Sequence, residues 1–332
     1  MKTCRAFRIH NVGGKVHAQL QDVNLKDLTP GDVLIAVNYS SVNYKDALAA
    51  TGKGKILRRF PLNGGIDAAG VVTESSDPRF SPGQKVLVTG CGLSETYDGG
   101  YSEIMSAKAE SVVPLPQGLT SREAMLLGTA GFTAALALHR MEQNGQTAAL
   151  GPILVTGATG GVGSFAIQLF AQAGYTVVAV SGKAAASPYL QALGASEILT
   201  PEALDLGDRP LESIRFGGAV DNVGGKLLAK VLAHTELWGN VASIGLAAGH
   251  ELHTTVMPFI LRGVSLLGIS SNNTPMSKRH WLWKQLAGPW KPKSLESILA
   301  RTVSLNELPA AFEDLLNRQI QGRILVEIRR DE

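Results

Sequence analysis

Cysteine is nearly absent: the 332 residues hold two, Cys4 and Cys91. Two thiols so far apart argue against a disulfide framework and fit a reducing compartment, where both read as buried free thiols. Nor can they supply the four closely spaced cysteines of a structural zinc site. Long apolar runs are missing too, and no stretch is continuous enough to span a bilayer. The first residues, Met1 to Arg8, lack the apolar region of a signal peptide, so the expectation is a cytoplasmic protein away from the membrane. Neither charge is in large excess. With 31 Lys and Arg against 28 Asp and Glu the net charge is +3, which gives little field at a distance and does not by itself suggest a nucleic-acid partner. Aromatic residues are few, at 6%, and there is no internal repeat or low-complexity segment. Length and a 45% hydrophobic content allow two domains with separate cores.

What is present is a glycine-rich break between a strand and a helix. Ile153-Leu154-Val155-Thr156 has strand character, and Gly157-Ala158-Thr159-Gly160-Gly161-Val162-Gly163 forms the turn. Val162, Ala166, Leu169 and Phe170 then recur at helical spacing up to a stop at Gly174. Gly157 permits the tight turn, Gly160 and Gly161 let backbone approach a pyrophosphate, and Gly163 lets the helix pack close to the sheet. Free N–H groups at the helix start would face the phosphates. The spacing is GxxGGxG rather than GxGxxG, so the strand before and the helix after carry the assignment.

Around this unit the texture changes twice. Residues 6–105 read as short strands punctuated by Gly, Pro and Asp, a mostly-β domain. Thr120-Ser121-Arg122-Glu123 is a capping box ahead of a helix at Ala124, and a second helical run follows from Phe132 to Met141. From Ile153 strands and helices alternate, which predicts an α/β doubly wound parallel sheet. Gly322 to Ile328 reads as a closing strand that rejoins the first domain. The predicted divisions are 1–125, 126–270 and 271–332.

These parts together resemble the medium-chain dehydrogenase/reductase superfamily. More closely, Ser41 to Leu48 (SVNYKDAL), Thr51 to Ile56 (TGKGKI), Gly65-Ile66-Asp67, Gly128 to Ala134 (GTAGFTA) and Thr255 to Arg262 (TVMPFILR) resemble the YhdH/AcuI-type quinone oxidoreductases. Characterised members of that family are NADPH-dependent acrylyl-CoA reductases. The resemblance covers nearly the whole chain and implies a GroES-like catalytic domain beside a Rossmann domain. A catalytic zinc needs three ligands from Cys, His and carboxylate. Where the zinc branch carries its first Cys and its Gly-His-Glu, this chain reads Asn43 and Gly65-Ile66-Asp67. The expectation is therefore metal-free hydride transfer to the β-carbon of a C=C bond already activated by conjugation. Acrylyl-CoA to propionyl-CoA is the expected reaction, with NADPH:quinone or general enone reduction as the alternative.

The second strand of the alternating half, Val177 to Val180, ends in Ser181-Gly182-Lys183. A hydroxyl and an ammonium there suit a 2′-phosphate, whereas the carboxylate of NAD-selective folds would repel it, so the expected cofactor is NADPH. One departure stands against it: the family's Arg beyond the third strand is Pro201 here. The resemblance adds Tyr44, Thr129, Leu246, Ile260, Ser271 and Asn317 as cofactor contacts. It also places Asn43, Tyr44 and Asp46 at the reacting end, where Tyr44 orients the substrate carbonyl or relays a proton. The plainer reading, in which Tyr44 packs and Asp46 caps a helix, stays open. Lys53 and Arg58, with Lys55 and Arg59, read either as a contact for coenzyme A phosphates or as a solvated loop, and Arg323 is the remaining substrate-contact candidate. Val264 to Ile269 resembles the edge strand through which such subunits form a homodimer, although the same strand could be capped within the monomer.

A rival class comes from Lys278-Arg279-His280-Trp281-Leu282-Trp283-Lys284, whose bases and aromatics interleave as on an RNA-binding surface. Helical spacing offers a simpler account, with Trp281 and Gln285 on one face, Leu282 and Leu286 beside them, and Lys278 and Lys284 in solvent.

Overall fold

The computed structural model describes residues 2–330. Strands β1 (Thr3–Val12) and β2 (Lys15–Asn24) pair antiparallel, from Thr3 opposite Asn24 to Val12 opposite Lys15. Next come β3 (Val33–Val42), α1 (Tyr44–Thr51), β4 (Leu62–Asn63), β5 (Asp67–Ser75), β6 (Lys85–Thr89), β7 (Ile104–Ala107) and β8 (Val113–Pro114). Helix α1 ends where Gly52 turns left-handed at φ 70°, a conformation that needs no Cβ. Helix α2 (Ser121–Gln143) opens on the expected capping box. Thr120 N donates to Glu123 Oε2 at 2.9 Å and Glu123 N to Thr120 Oγ1 at 3.1 Å. Its two helical runs meet at Gly128, where φ 49° and ψ −155° break the helix.

The alternating half follows as β9 (Ile153–Val155), α3 (Gly161–Gln172), β10 (Val177–Val180), α4 (Ser187–Ala192), β11 (Glu197–Leu199), α5 (Pro201–Leu204), β12 (Phe216–Asp221), α6 (Gly225–Ala233), β13 (Thr235–Ser243), α7 (Met257–Arg262) and β14 (Ser265–Gly268). These strands form one parallel sheet in the order β11-β10-β9-β12-β13-β14. Strands β9, β10 and β12 are buried along their whole length. Helices cover both faces of such a sheet, which is why these strands read as unbroken apolar runs rather than alternating ones. Strand order reverses between β9 and β12, and in open α/β sheets ligands bind in the crevice at that reversal.

The chain finishes with α8 (Met276–Ala287), β15 (Leu299–Val303), α9 (Leu308–Leu316) and β16 (Arg323–Glu327). β16 pairs antiparallel with β3, Ile324 opposite Val42 and Glu327 opposite Tyr39, so the closing strand does rejoin the first domain. Two compact units result: Met1–Thr129 with Asn272–Gly288 and Leu299–Glu332, and Ala130–Ser271 with Pro289–Ile298. Met1, Asp331 and Glu332, the outermost residues of the predicted divisions, lie outside the described residues. The first unit packs α1 and α9 around Phe7, Tyr101, Phe312 and Ile324, and the second packs α6 against β12 and β13 through Leu228, Val231, Leu232, Ala219 and Val241. Each such buried Leu, Val or Phe contributes about 1.5–3 kcal/mol relative to exposure.

Helix α8 differs from expectation. Its buried face is Arg279, Leu282, Trp283 and Leu286, and Trp281 is exposed. The i, i+3, i+4, i+7 spacing is intact but starts one turn earlier, on a charged residue. Arg279 sits inside because Nη1 donates to Thr89 O at 2.7 Å and to Thr89 Oγ1 at 3.1 Å, while Nη2 donates to Asn272 O at 3.3 Å. Arg279 and Trp283, two residues of the interleaved basic and aromatic motif, are thereby removed from the surface.

Candidate functional site

In the first unit the end of β3 and the start of α1 deliver Ser41, Asn43, Tyr44 and Asp46, and the start of β5 delivers Asp67. Asp67 is fully buried. Its Oδ2 accepts from Ser41 Oγ (2.6 Å), Asn43 Nδ2 (2.9 Å) and Thr129 N (2.9 Å), and its Oδ1 accepts from Thr129 Oγ1 (2.5 Å). The carboxylate thus caps the second run of α2, whose first N–H groups the break at Gly128 leaves without carbonyl partners. A Cβ at Gly128 would lie 2.7 Å from Asp67 Oδ2 and 2.8 Å from Arg323 Nη2, so only glycine fits.

Asp46 lies one turn into α1 and is 1% exposed. Its Oδ2 accepts from Asn43 N at 2.9 Å and Asn43 Nδ2 at 3.1 Å, while Oδ1 accepts from Ile66 N at 2.9 Å. Burial first, and the neighbouring Asp67 second, push its carboxyl up to about 7. Arg323 closes the network from β16. Nη1 donates to Val42 O and Asn43 Oδ1, both at 3.0 Å, Nη2 to Ser41 Oγ at 2.7 Å and Nε to Leu126 O at 3.3 Å. Arg323 was expected to meet substrate; instead it is buried and every guanidinium nitrogen is used inside the protein. Tyr101, absent from the expected site, donates its buried hydroxyl to Ser41 O at 3.1 Å, and burial raises its pKa well above the usual value. Tyr44 is the exception in this cluster, with 45% of its surface exposed at the first position of α1.

In the second unit the glycine turn has the anticipated build. Gly157 is left-handed at φ 60° and ends β9, and Gly160 is the N-cap of α3, with no side chain capping the helix. A Cβ on Gly163 would come within 2.5 Å of Gly157 O and 2.8 Å of Ala158 Cα. The N–H groups of Gly161, Val162 and Gly163 are therefore those of an uncapped helix start, the arrangement that binds phosphate. Ala158 and Thr159 are buried in the turn beneath them. Two residues not singled out in the sequence hold the turn in place. Thr156 Oγ1 donates to Asp221 Oδ1 at 2.7 Å, and Asn222 Nδ2 donates to Thr156 O at 2.8 Å.

At the end of β10 Ser181 is buried, Gly182 is exposed and Lys183 is half-buried, with Lys183 N donating to Ser181 Oγ at 3.1 Å. Burial alone lowers the Lys183 pKa. Pro201 begins α5 behind its N-cap Thr200, a position that proline's fixed φ suits. Leu246 and Ile260 are exposed and Ser271 is half-buried, all in this second unit. Thr129 and Asn317 belong to the first unit, as do exposed Lys53 and Arg58.

The fold of each unit and the glycine turn of the second define a medium-chain dehydrogenase/reductase. Residues 29–117 match the Alcohol dehydrogenase GroES-like domain and residues 161–287 the Zinc-binding dehydrogenase family. The chain is 48% identical to the Probable acrylyl-CoA reductase AcuI of Escherichia coli, covering 98% of this chain and 99% of that one. It is also 48% identical to the Putative quinone oxidoreductase YhfP of Bacillus subtilis, covering 98% of each, and a structure of that YhfP with NAD bound superposes at a TM-score of 0.95 over 99% of this chain and 100% of that one. The Salmonella enterica YhdH oxidoreductase in complex with NADP, 46% identical, superposes at 0.94 over 98% of this chain and all of that one. The chain belongs to this YhdH/AcuI family of quinone oxidoreductases and acrylyl-CoA reductases.

Zinc, which the broader family name implies, does not fit the residues at Asn43 and Asp67. Asp67 is already satisfied by four donors and lies 3.9 Å from the Arg323 guanidinium, and a dication there would face a buried cation. Among the described residues no group of three His, Cys, Asp or Glu could hold a metal ion. A dinucleotide fits the second unit, where a cradle that a Cβ would fill lies beside an uncapped helix start.

Proposed function

We propose that this protein is an NADPH-dependent reductase of the C=C bond of α,β-unsaturated acyl-CoA thioesters, with acrylyl-CoA reduced to propionyl-CoA without a metal. The observation that carries the reading is the buried Asp46–Asn43–Asp67–Arg323 network standing where a Lewis acid would otherwise sit. Asn43, Asp67 and Arg323 satisfy one another and leave no ligand set for a Lewis acid, so a substrate that brings its own electrophilicity, as a conjugated thioester does, suits the site. A dinucleotide held by the glycine turn and the start of α3 would supply the hydride. Tyr44, exposed at the start of α1, is the group of this cluster that meets substrate. Its hydroxyl hydrogen-bonds the thioester oxygen as enolate charge develops or relays the proton to the α-carbon. Asn43 and Asp46 hold the turn that aims it, and burial confines Arg323 to the same supporting role.

Ser181 and Lys183 are assigned to the 2′-phosphate. A lysine drawn toward neutrality by burial is held charged again by a dianion beside it. Leu246, Ile260 and Ser271, all of the second unit, are assigned to the rest of the cofactor. Strand β14 is one edge of the six-stranded sheet, β11 being the other, and Trp238 and Leu261 are exposed apolar side chains of the same unit. We assign this edge to a homodimer contact, since an unpaired strand edge needs covering. No helix among the described residues is long and apolar enough to cross a membrane, and the protein is assigned to the cytoplasm.

Quinone reduction is the second reading, favoured by the name of YhfP. The two separate in one experiment, oxidation of NADPH by purified protein with acrylyl-CoA, crotonyl-CoA, a simple enone and a quinone side by side. The proposal requires kcat/KM for acrylyl-CoA to exceed that for the quinone by at least tenfold; the reverse order overturns it.

A further inference from the structure

We propose that the loop 53–60 is the docking site for the phosphorylated nucleotide end of coenzyme A; this rests on the acyl-CoA reading and names what separates such substrates from quinones. Lys53, Lys55, Arg58 and Arg59 are all exposed within seven residues. Among the described residues their side chains take part in no hydrogen bond or ion pair. Glu95, whose backbone carbonyl meets Arg58 N, is itself buried and has its carboxylate paired with Lys45. Four cations without counter-ions on one short segment repel one another, a cost that an anionic ligand relieves.

The loop is not a loose solvated arm. Ile56 and Leu57 pack against the core that holds Ala47, Ala50 and Phe312. Gly54 N donates to Leu48 O at 3.2 Å, and Arg58 N to Glu95 O at 2.8 Å. Backbone and apolar residues thus face inward while the cations face out, so little order remains to be imposed when a ligand binds. Phe60, at the loop's end, is 36% exposed and offers an aromatic face on which an adenine can stack.

Geometry ties the loop to the reacting end. Tyr44 is the first residue of α1 and Lys53 follows its C-cap Gly52, so α1 separates them by about 12 Å. From Lys53 the chain turns back toward the first turn of α1, where Arg58 N meets Glu95 O and the Glu95 carboxylate meets Lys45. The loop thus runs from about 12 Å beyond Tyr44 back to the first turn of α1, a span over which one elongated ligand can meet Tyr44 with its thioester and the loop with its phosphates. Quinones and simple enones carry no group for the loop to recognise.

The test compares acrylyl-CoA, its 3′-dephospho analogue and acrylyl-pantetheine on the wild-type enzyme and on a Lys53→Ala, Lys55→Ala, Arg59→Ala variant. We expect the ratio of kcat/KM for the CoA thioester to that for the pantetheine thioester to fall roughly 10- to 100-fold in the variant, through KM. A smaller loss is expected with the 3′-dephospho analogue. An unchanged ratio, with the wild type still turning over acrylyl-CoA, overturns the loop's role and leaves the acyl-CoA reading standing. Wild-type turnover of a quinone or enone without turnover of acrylyl-CoA overturns that reading, and this inference with it.

Discussion

The Asp67 network and the glycine turn are both built from buried polar groups near the ends of strands, yet they are completed in opposite ways. Around Asp67 the protein supplies every partner itself: four donors to one carboxylate, three to Asp46, and an acceptor for each Arg323 nitrogen. At Gly157 to Gly163 the backbone is held just as firmly, by Asp221 and Asn222 through Thr156, but the first N–H groups of α3 have no cap. A region that satisfies itself fixes shape and gives Tyr44 a rigid mount. A region that does not satisfy itself is built for a ligand, and here that ligand is an anion.

Breaking the self-satisfied region has the largest expected effect. Asp67→Ala leaves the Arg323 guanidinium without its carboxylate and strips the cap from the second run of α2, so unfolding stability should drop by about 3–5 kcal/mol. Urea denaturation at neutral pH measures it, and a loss under about 1 kcal/mol would show that the network carries no structural weight. The next effect is a pH dependence of unusual sign. The Asp46 carboxyl is raised to about 7 from its ordinary 3.8, so between those values the folded state holds a proton that the unfolded state has released. Stability contributed here is full below about pH 4 and is lost as pH rises toward 7, by on the order of a few kcal/mol. Asp46→Asn should flatten that slope. An equal slope in wild type and variant would place the titration outside Asp46.

The smallest effect belongs to the open region. Lys183→Ala should raise the KM for NADPH roughly tenfold and leave that for NADH within about twofold, since one half-buried charge contact is lost and the turn is untouched. Equal effects on both cofactors would remove Lys183 from the 2′-phosphate. The result also weighs Pro201: with no arginine at that position, Lys183 carries more of the discrimination.

The sequence exposes these two regions unequally, for a physical reason. Glycine turns are local, so Gly157 to Gly163, the Thr120 capping box and the alternating strands are legible from spacing alone. The Asp67 network is assembled from β3, α1, β5, α2 and β16, and no local pattern announces that Asp67 faces inward or that Arg323 is buried against it. Asn43 and Asp67 stood out through the missing zinc ligands; Tyr101 and Ser41 gave no comparable signal as site residues. Helix α8 misled for a related reason. A charged residue on the buried face looks like a solvent position until its distant partners, Thr89 and Asn272, are in view.

The central claim, that hydride goes to the β-carbon of a conjugated thioester without metal assistance, is tested most directly by isotope placement. Acrylyl-CoA reduced with NADPH deuterated at the transferred position should give propionyl-CoA carrying one deuterium on the β-carbon, and reaction in D2O should place one on the α-carbon, both read by NMR of the product. Deuterium at the carbonyl-derived carbon, or a thioester left unlabelled while NADPH is consumed, would contradict it.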